Sequence, residues 1–205
     1  MAGKVKNDMF TGIVITTGVV RDRAFIGGDV RLRIEAENID FDRFREGDSI
    51  SVSGVCLTML DPAQHGFFAD VSAETLQVTT LGMVESGARV NLEPALTLAQ
   101  PLGGHLVTGH VDGIGRLSAR EREARAERFE FQLPKGLEKY VAQKGSVCID
   151  GVSLTVNSVS DRRFSVCLIP HTLEKTTLGG LEMGGKVNIE VDLIARYVER
   201  LATCE

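Results

Sequence analysis

The sequence predicts an all-β protein made of one module written twice and closed by a short C-terminal α-helix. Three observations predict it. Gly54-Val55-Cys56-Leu57-Thr58-Met59 returns 97 positions later as Gly151-Val152-Ser153-Leu154-Thr155-Val156. The same offset relates Thr11-Gly12-Ile13-Val14 to Thr108-Gly109-His110-Val111, residues 75–82 to 172–179, and Val90-Asn91-Leu92-Glu93 to Val187-Asn188-Ile189-Glu190. Within each copy, short runs alternate apolar with polar residues, the period of a half-buried strand, and glycine turns separate them. After Asp192 the apolar spacing becomes that of one helix face.

In chain order, residues 1–8 are polar, stand outside the repeat and are expected to be a disordered lead-in. Residues 9–14 are expected to open copy one as a strand. Residues 30–37 alternate apolar and charged side chains, a strand with one face buried. Phe41 to Phe44 reads as a helical turn, and Gly47-Asp48 as a turn before a strand from Ser49. Further strands are expected over 67–71 and 90–93. Gln100-Pro101-Leu102-Gly103-Gly104 breaks any regular element and serves as the linker. Copy two repeats the order: 118–128 reads as a solvated hairpin tip, 129–133 as a strand, and 137–143 as a short helix. Each copy is then a closed barrel or a sandwich. Beyond Asp192, a candidate cap, the face Leu193, Ile194, Tyr197, Val198 and Leu201 is too short a helix to stand alone in water. It must dock on its own barrel or on copies of itself.

Composition narrows the function. The 205 residues are 43% hydrophobic and 25% charged, ordinary for a globular chain. A net charge of −5 without a basic run argues against nucleic-acid binding. The four cysteines form no CxxC pair and have no nearby histidine, so no metal site is expected. No run is apolar enough to cross a membrane and no secretory signal opens the chain, so a cytoplasmic location is expected.

Where the copies agree, fold is the reading; where they differ in chemistry, function is. Cys56 becomes Ser153, Ser53 becomes Asp150, Ile13 becomes His110 and Ala95 becomes Asp192. A thiol is a nucleophile once ionised, and His110 is the one side chain of its motif that exchanges protons near neutral pH. Thr58 and Thr155 taken singly suit a strand. Polar replacements at one edge of a repeated scaffold suggest two related pockets with different chemistry.

These motifs, together with Met9-Phe10, Gly103-Gly104-His105, Leu168-Ile169-Pro170-His171-Thr172-Leu173 and Val187 to Asp192, resemble riboflavin synthase of the α-chain type over essentially the whole chain. The resemblance implies two six-stranded Greek-key barrels, over 9–99 and 106–192, and an oligomerisation helix over 193–205 in a homotrimer. It implies transfer of a four-carbon unit between two molecules of 6,7-dimethyl-8-ribityllumazine, giving riboflavin and 5-amino-6-ribitylamino-uracil, with no cofactor or metal. Each barrel would bind one lumazine, at a working site between the first barrel of one subunit and the second of its neighbour. By motif, the first pocket is Gly12, Ile13, Val14, Cys56, Leu57, Thr58, Asp70, Val71, Ser72, Ala73, Glu74 and Thr75. The second is Gly109, His110, Val111, Lys144, Ser153, Leu154, Thr155, Cys167, Leu168, Ile169, Pro170, His171 and Thr172. The ribityl chain is a neutral polyol, suited to hydroxyls and backbone groups. Catalysis would rest on holding two rings face to face and moving protons. His110 and Ser153 would handle protons, Thr155 and Asp150 would orient them, and Cys56, Ser49 and Asp192 would support. Two alternatives remain: a non-catalytic lumazine or flavin carrier of the same family, and a module for another polyol, which the absence of tryptophan disfavours.

Overall fold

The computed structural model describes residues 9–203. The expected lead-in over 1–8 lies outside the described residues, as do the last two positions. The chain folds as β1 Thr16–Ile26, β2 Asp29–Glu35, β3 Ser49–Val52, β4 Val55–Thr58, β5 Leu60–Ala63, β6 Gly66–Val71, α1 Ala73–Val78 and β7 Arg89–Pro94. Copy two adds β8 Gly113–Glu123, β9 Ala126–Gln132, β10 Ser146–Ile149, β11 Val152–Ser160, β12 Arg163–Leu168, α2 Pro170–Lys175, β13 Lys186–Val191 and α3 Leu193–Ala202.

The second copy is a closed six-stranded barrel in the order β10-β11-β12-β9-β8-β13. Its crossover from β9 to β10 leaves the hairpin order, which makes it a Greek key. The first copy is a sheet in the order β4-β3-β7-β1-β2-β6-β5. Its two ends, β4 and β5, are one stave interrupted at Met59, so six staves close here too. The interruption falls where β11, the equivalent strand, has its bulge between Val156 and Ser158. Copies one and two also share a bulge, between Val20 and Asp22 in β1 and between Leu117 and Ala119 in β8.

The half-buried strands behave as their patterns predict. β2 buries Val30, Leu32 and Ile34 and turns its charges outward. Phe41–Arg43 is a single 3-10 turn with Phe41 in the core. Residues 118–128 are the ends of β8 and β9 around a turn at Ala124, a hairpin tip with exposed charges. Asp192 caps α3, accepting a hydrogen bond from Ile194 N at 2.9 Å.

Two expectations fail. Residues 9–14 are not a strand. Phe10 alone forms a bridge, to Val107. The amides of Thr11 and Gly12 instead donate to the Glu93 carboxylate at 2.7 and 3.0 Å, and Gly12 turns the chain at φ +76°. The expected helix over 137–143 is only a 3-10 turn, Glu138–Tyr140, because Val141 must extend to bury its side chain ahead of β10.

The barrels keep separate cores and are joined about a pseudo-two-fold axis. Asn91 Nδ2 donates to Asp150 O and Asn188 Nδ2 donates to Ser53 O, both at 2.8 Å. Each asparagine also accepts a 3-10 turn amide of the other copy, Thr177 N and Thr80 N. Gly54 and Gly151 sit back to back: a Cβ on Gly54 would lie 2.7 Å from Gly151 N. All four bonds and this contact map onto themselves under the 97-residue shift. Asn91 and Asn188 are each 1% exposed, so these bonds are made where water cannot compete.

The helix α3 docks on its own barrel by its polar side. Arg196 Nη2 bonds Asp112 Oδ2 and His110 O, both at 2.9 Å, and Glu199 pairs with Lys139 and Tyr140 OH. Ile194, Tyr197, Val198 and Leu201 are left exposed.

Candidate active site

The two copies trade their N-terminal segments. Val14 packs against the second barrel's core, and Val111 against the first's. Ser153 N donates to Gly12 O at 2.8 Å, and Cys56 N donates to Gly109 O at 2.9 Å. The pocket groupings inferred by motif are therefore exchanged. Gly12, Ile13 and Val14 lie with Ser153, Leu154 and Thr155, while Gly109, His110 and Val111 lie with Cys56, Leu57 and Thr58. The cause is local. Each Thr-Gly turn is gripped by a buried carboxylate at the end of its own barrel. Glu93 takes Thr11 N, Thr11 Oγ1 and Gly12 N, and Glu190 takes Thr108 N, Thr108 Oγ1 and Gly109 N. Burial pushes both carboxyls up, opposed by these bonds. A Cβ at Gly12 would fall 2.5 Å from Ser153 Cβ, and one at Gly109 2.5 Å from Cys56 Cβ, so only glycine permits the approach.

The cluster on the first barrel brings together Cys56, half-buried, and His110, exposed on the segment that crosses from copy two. Thr58 follows on β4, paired in register with Ser49 of β3. Ser49 is buried, and its carbonyl accepts Ala95 N at 3.1 Å. At the far end of β6, Ser72 caps α1 by accepting Thr75 N, and its Oγ lies 3.0 Å from Thr75 Oγ1. Ala73 and Glu74 are exposed beside them. Asp29, the first residue of β2, accepts Ala73 N. Three inferred pocket residues turn elsewhere. Leu57 and Val71 bury their side chains in the core, and Asp70 faces outward in a two-bond pair with Arg31 that holds its carboxyl below the usual range.

The cluster on the second barrel centres on Ser153. Its Oγ lies 2.7 Å from Nδ1 of His105, whose backbone N donates to Thr11 O. Burial pushes the imidazole down, partly offset by the Asp192 carboxylate. A neutral ring can accept the Ser153 hydroxyl proton at Nδ1. Its Nε2 is buried without a partner. His105 was missing from the inferred catalytic set because it has no counterpart in copy one, where the offset lands among the residues before the repeat. The adjacent Gly103-Gly104 pair was the available signal: a Cβ on Gly104 would meet Thr11 O at 2.1 Å and Ser153 Oγ at 2.9 Å.

Thr155 is exposed beside Ser153, with half-buried Leu154 between them. Cys167 is half-buried, Leu168 is in the core, and Ile169, Pro170 and His171 are exposed ahead of half-buried Thr172. Lys144 is exposed and holds φ +67° where copy one has Gly47. A lysine in that region is uncommon. Asp150 does not join either cluster. Its Oδ1 accepts Asn188 N at 2.7 Å within its own barrel, as Ser53 Oγ accepts Asn91 N, and burial raises its pKa to about 7. Within one chain Ser153 pairs with His105, and His110 belongs to the other cluster. Among the described residues no group of three His, Cys, Asp or Glu side chains could hold a metal.

The lumazine binding domain family matches the chain twice, over residues 11–95 and 108–192, the same 97-residue offset. Riboflavin synthase of Mycobacterium bovis is 46% identical, covering 94% of this chain and 98% of that one. Riboflavin synthase of Brucella abortus is 45% identical over 95% and 98%. Among solved structures, LumP complexed with riboflavin superposes with a TM-score of 0.82 at 25% identity, covering 89% of this chain and 98% of that one.

Proposed function

Because the chain belongs to the riboflavin synthase family, we propose that it is a transferase moving a four-carbon unit between two molecules of 6,7-dimethyl-8-ribityllumazine, to give riboflavin and 5-amino-6-ribitylamino-uracil. The observation that carries this reading is the pair of chemically different clusters on one repeated fold, in a chain 45–46% identical to riboflavin synthases over nearly its full length. Donor and acceptor are the same compound, so two like pockets with unlike reactive groups suit the reaction.

The lumazine ring is electron-poor and carries an acidic methyl group, so much of the reactivity lies in the substrate. Protein groups hold the two rings in register and move protons. We assign proton handling to the Ser153–His105 pair on the second barrel and to His110 beside Cys56 on the first. Asp192 acts on His105 through its charge. Ser72, Thr75 and Glu74, and on the second barrel Thr172, are the polar groups offered to the ribityl hydroxyls. No cofactor or metal enters this scheme. The apolar face of α3 suits packing against copies of itself, as a homotrimer would require. The first-barrel cluster of one chain then meets the second-barrel cluster of its neighbour.

The test is incubation of the protein with the lumazine alone and a chelator present. One riboflavin formed per two lumazines consumed is the expected result. Stable binding of lumazine with no riboflavin formed would instead favour a carrier.

A further inference from the structure

Residue His110 is held by its main chain more than by its ring. On one side Gly109 is fixed twice, by Glu190 at its amide and by Cys56 N at its carbonyl. On the other side Asp112 N donates to Ile189 O, and Asp112 Oδ2 accepts Val191 N at 2.8 Å. The carbonyl of His110 itself takes Nη2 of Arg196, reaching over from α3. That same nitrogen gives its other proton to Asp112 Oδ2. The arrangement leaves Arg196 Nε buried with no acceptor. Burying that donor unpaired is a cost to stability, so the side chain is placed for the two acceptors its Nη2 reaches, one of them the His110 carbonyl. Glu199, Lys139 and Tyr140 already tie the helix down. The positions equivalent to His110, Asp112 and Arg196 in copy one are Ile13, Ile15 and Ala99. The clamp is thus present only in the copy that carries the histidine.

We propose that Arg196 is a positioning residue that holds His110 through its carbonyl oxygen, so that chemistry at His110 requires α3 to be seated on its barrel. This rests on the role given to His110 above. The charged groups around His110 are Asp112 on its own segment and Arg196 on α3. Asp112 feels both: burial raises its carboxyl, while the Val191 amide, Arg196 and His110 oppose the shift. Since α3 also carries the exposed apolar face, the same helix links assembly to the orientation of the imidazole.

The test compares R196A, R196K and E199A in the full chain, by steady-state rates, melting temperature and the His110 ring signals in a 1H–13C spectrum. In R196A, kcat is expected to fall about tenfold or more with KM changed less than about twofold, as misorientation without loss of binding dictates. The His110 signals shift and broaden. R196K can give two protons from one nitrogen on a shorter stem, so it restores part of kcat. It also carries the test should R196A fail to fold. E199A lowers the melting temperature by removing the other anchor and leaves kcat and the His110 signals in place. Equal loss of kcat in R196A and E199A, with His110 signals unmoved, would overturn the proposal and leave Arg196 a mere helix anchor. If the unaltered protein forms no riboflavin, the enzymatic reading fails instead, and the His110 spectrum still decides whether Arg196 holds that residue.

Discussion

Residues Ser53 and Asp150 take the same backbone turn, each at φ +46°, and each accepts the backbone amide of the asparagine across the strand pair. The serine does so without charge; the aspartate carries a carboxyl pushed up to about 7 by burial. Its unfolded value is 3.8. The folded state therefore keeps the proton over a range in which the unfolded chain has lost it. The stabilisation is complete below 3.8 and disappears as pH rises through about 7. The loss is on the order of 4 kcal/mol. Asp150→Ser copies the first barrel's solution, and is expected to raise the melting temperature at pH 8 while leaving it nearly unchanged at pH 4. A flat difference between the two pH values would contradict the linkage. Ser153 makes a different prediction. Ser153→Ala removes the proton relay to His105 and should lower kcat about 100-fold or more, as for loss of a general acid–base group, with the fold intact by circular dichroism. Comparing the two copies in the sequence singled out positions 53/150, 56/153 and 13/110 as places of difference. It could not tell which differences face a pocket, and so it gave Asp150 an orienting role when its buried carboxyl is taken up by the Asn188 amide of its own barrel. It could not see His105, which has no twin to differ from.

Elements with one wet face were the legible ones. β2 alternates because Val30, Leu32 and Ile34 face the core while Arg31, Arg33 and Glu35 face water, and α3 shows its period because one side is apolar. The short helices α1 and α2 were not legible, since six residues hold too little periodicity to register. Residues 9–14 misled because their apolar side chains leave the first barrel's core: Phe10 joins a separate cluster with Val107 and Cys148, and Val14 packs against the second core. The exposed face of α3 yields the prediction at this scale. Four large side chains, Ile194, Tyr197, Val198 and Leu201, are each at least 60% exposed. Burying each fully would contribute roughly 1.5–3 kcal/mol, enough to hold copies of the helix together. The double change Ile194→Glu with Val198→Glu should yield a monomer by sedimentation, with riboflavin formation lost and both barrels still folded. An oligomer of unchanged size would show that another surface carries assembly.

At the scale of the whole molecule the axis between the barrels is filled. Gly54 and Gly151 meet backbone to backbone, Asn91 and Asn188 are locked across them, and Phe10, Val107 and Cys148 form a further buried cluster. No room is left on that axis for two stacked heterocycles. The Cys56–His110 cluster and the Ser153–His105 cluster of one chain therefore do not meet across this axis, and under the proposed function each would take its complement from another chain. In the proposed homotrimer a closed ring of chains would supply it, with heterologous contact from the first barrel of one chain to the second of its neighbour. Complementation tests this arrangement. A chain carrying His110→Ala and a chain carrying Ser153→Ala should each be nearly inactive alone. Unfolded and refolded together, they form mixed rings in which some interfaces join an intact first-barrel cluster to an intact second-barrel cluster, and riboflavin synthesis should return to a sizeable fraction of the unaltered rate. If each site were built within one chain, every site in the mixture would keep one defect, and the mixture would be no more active than its parts.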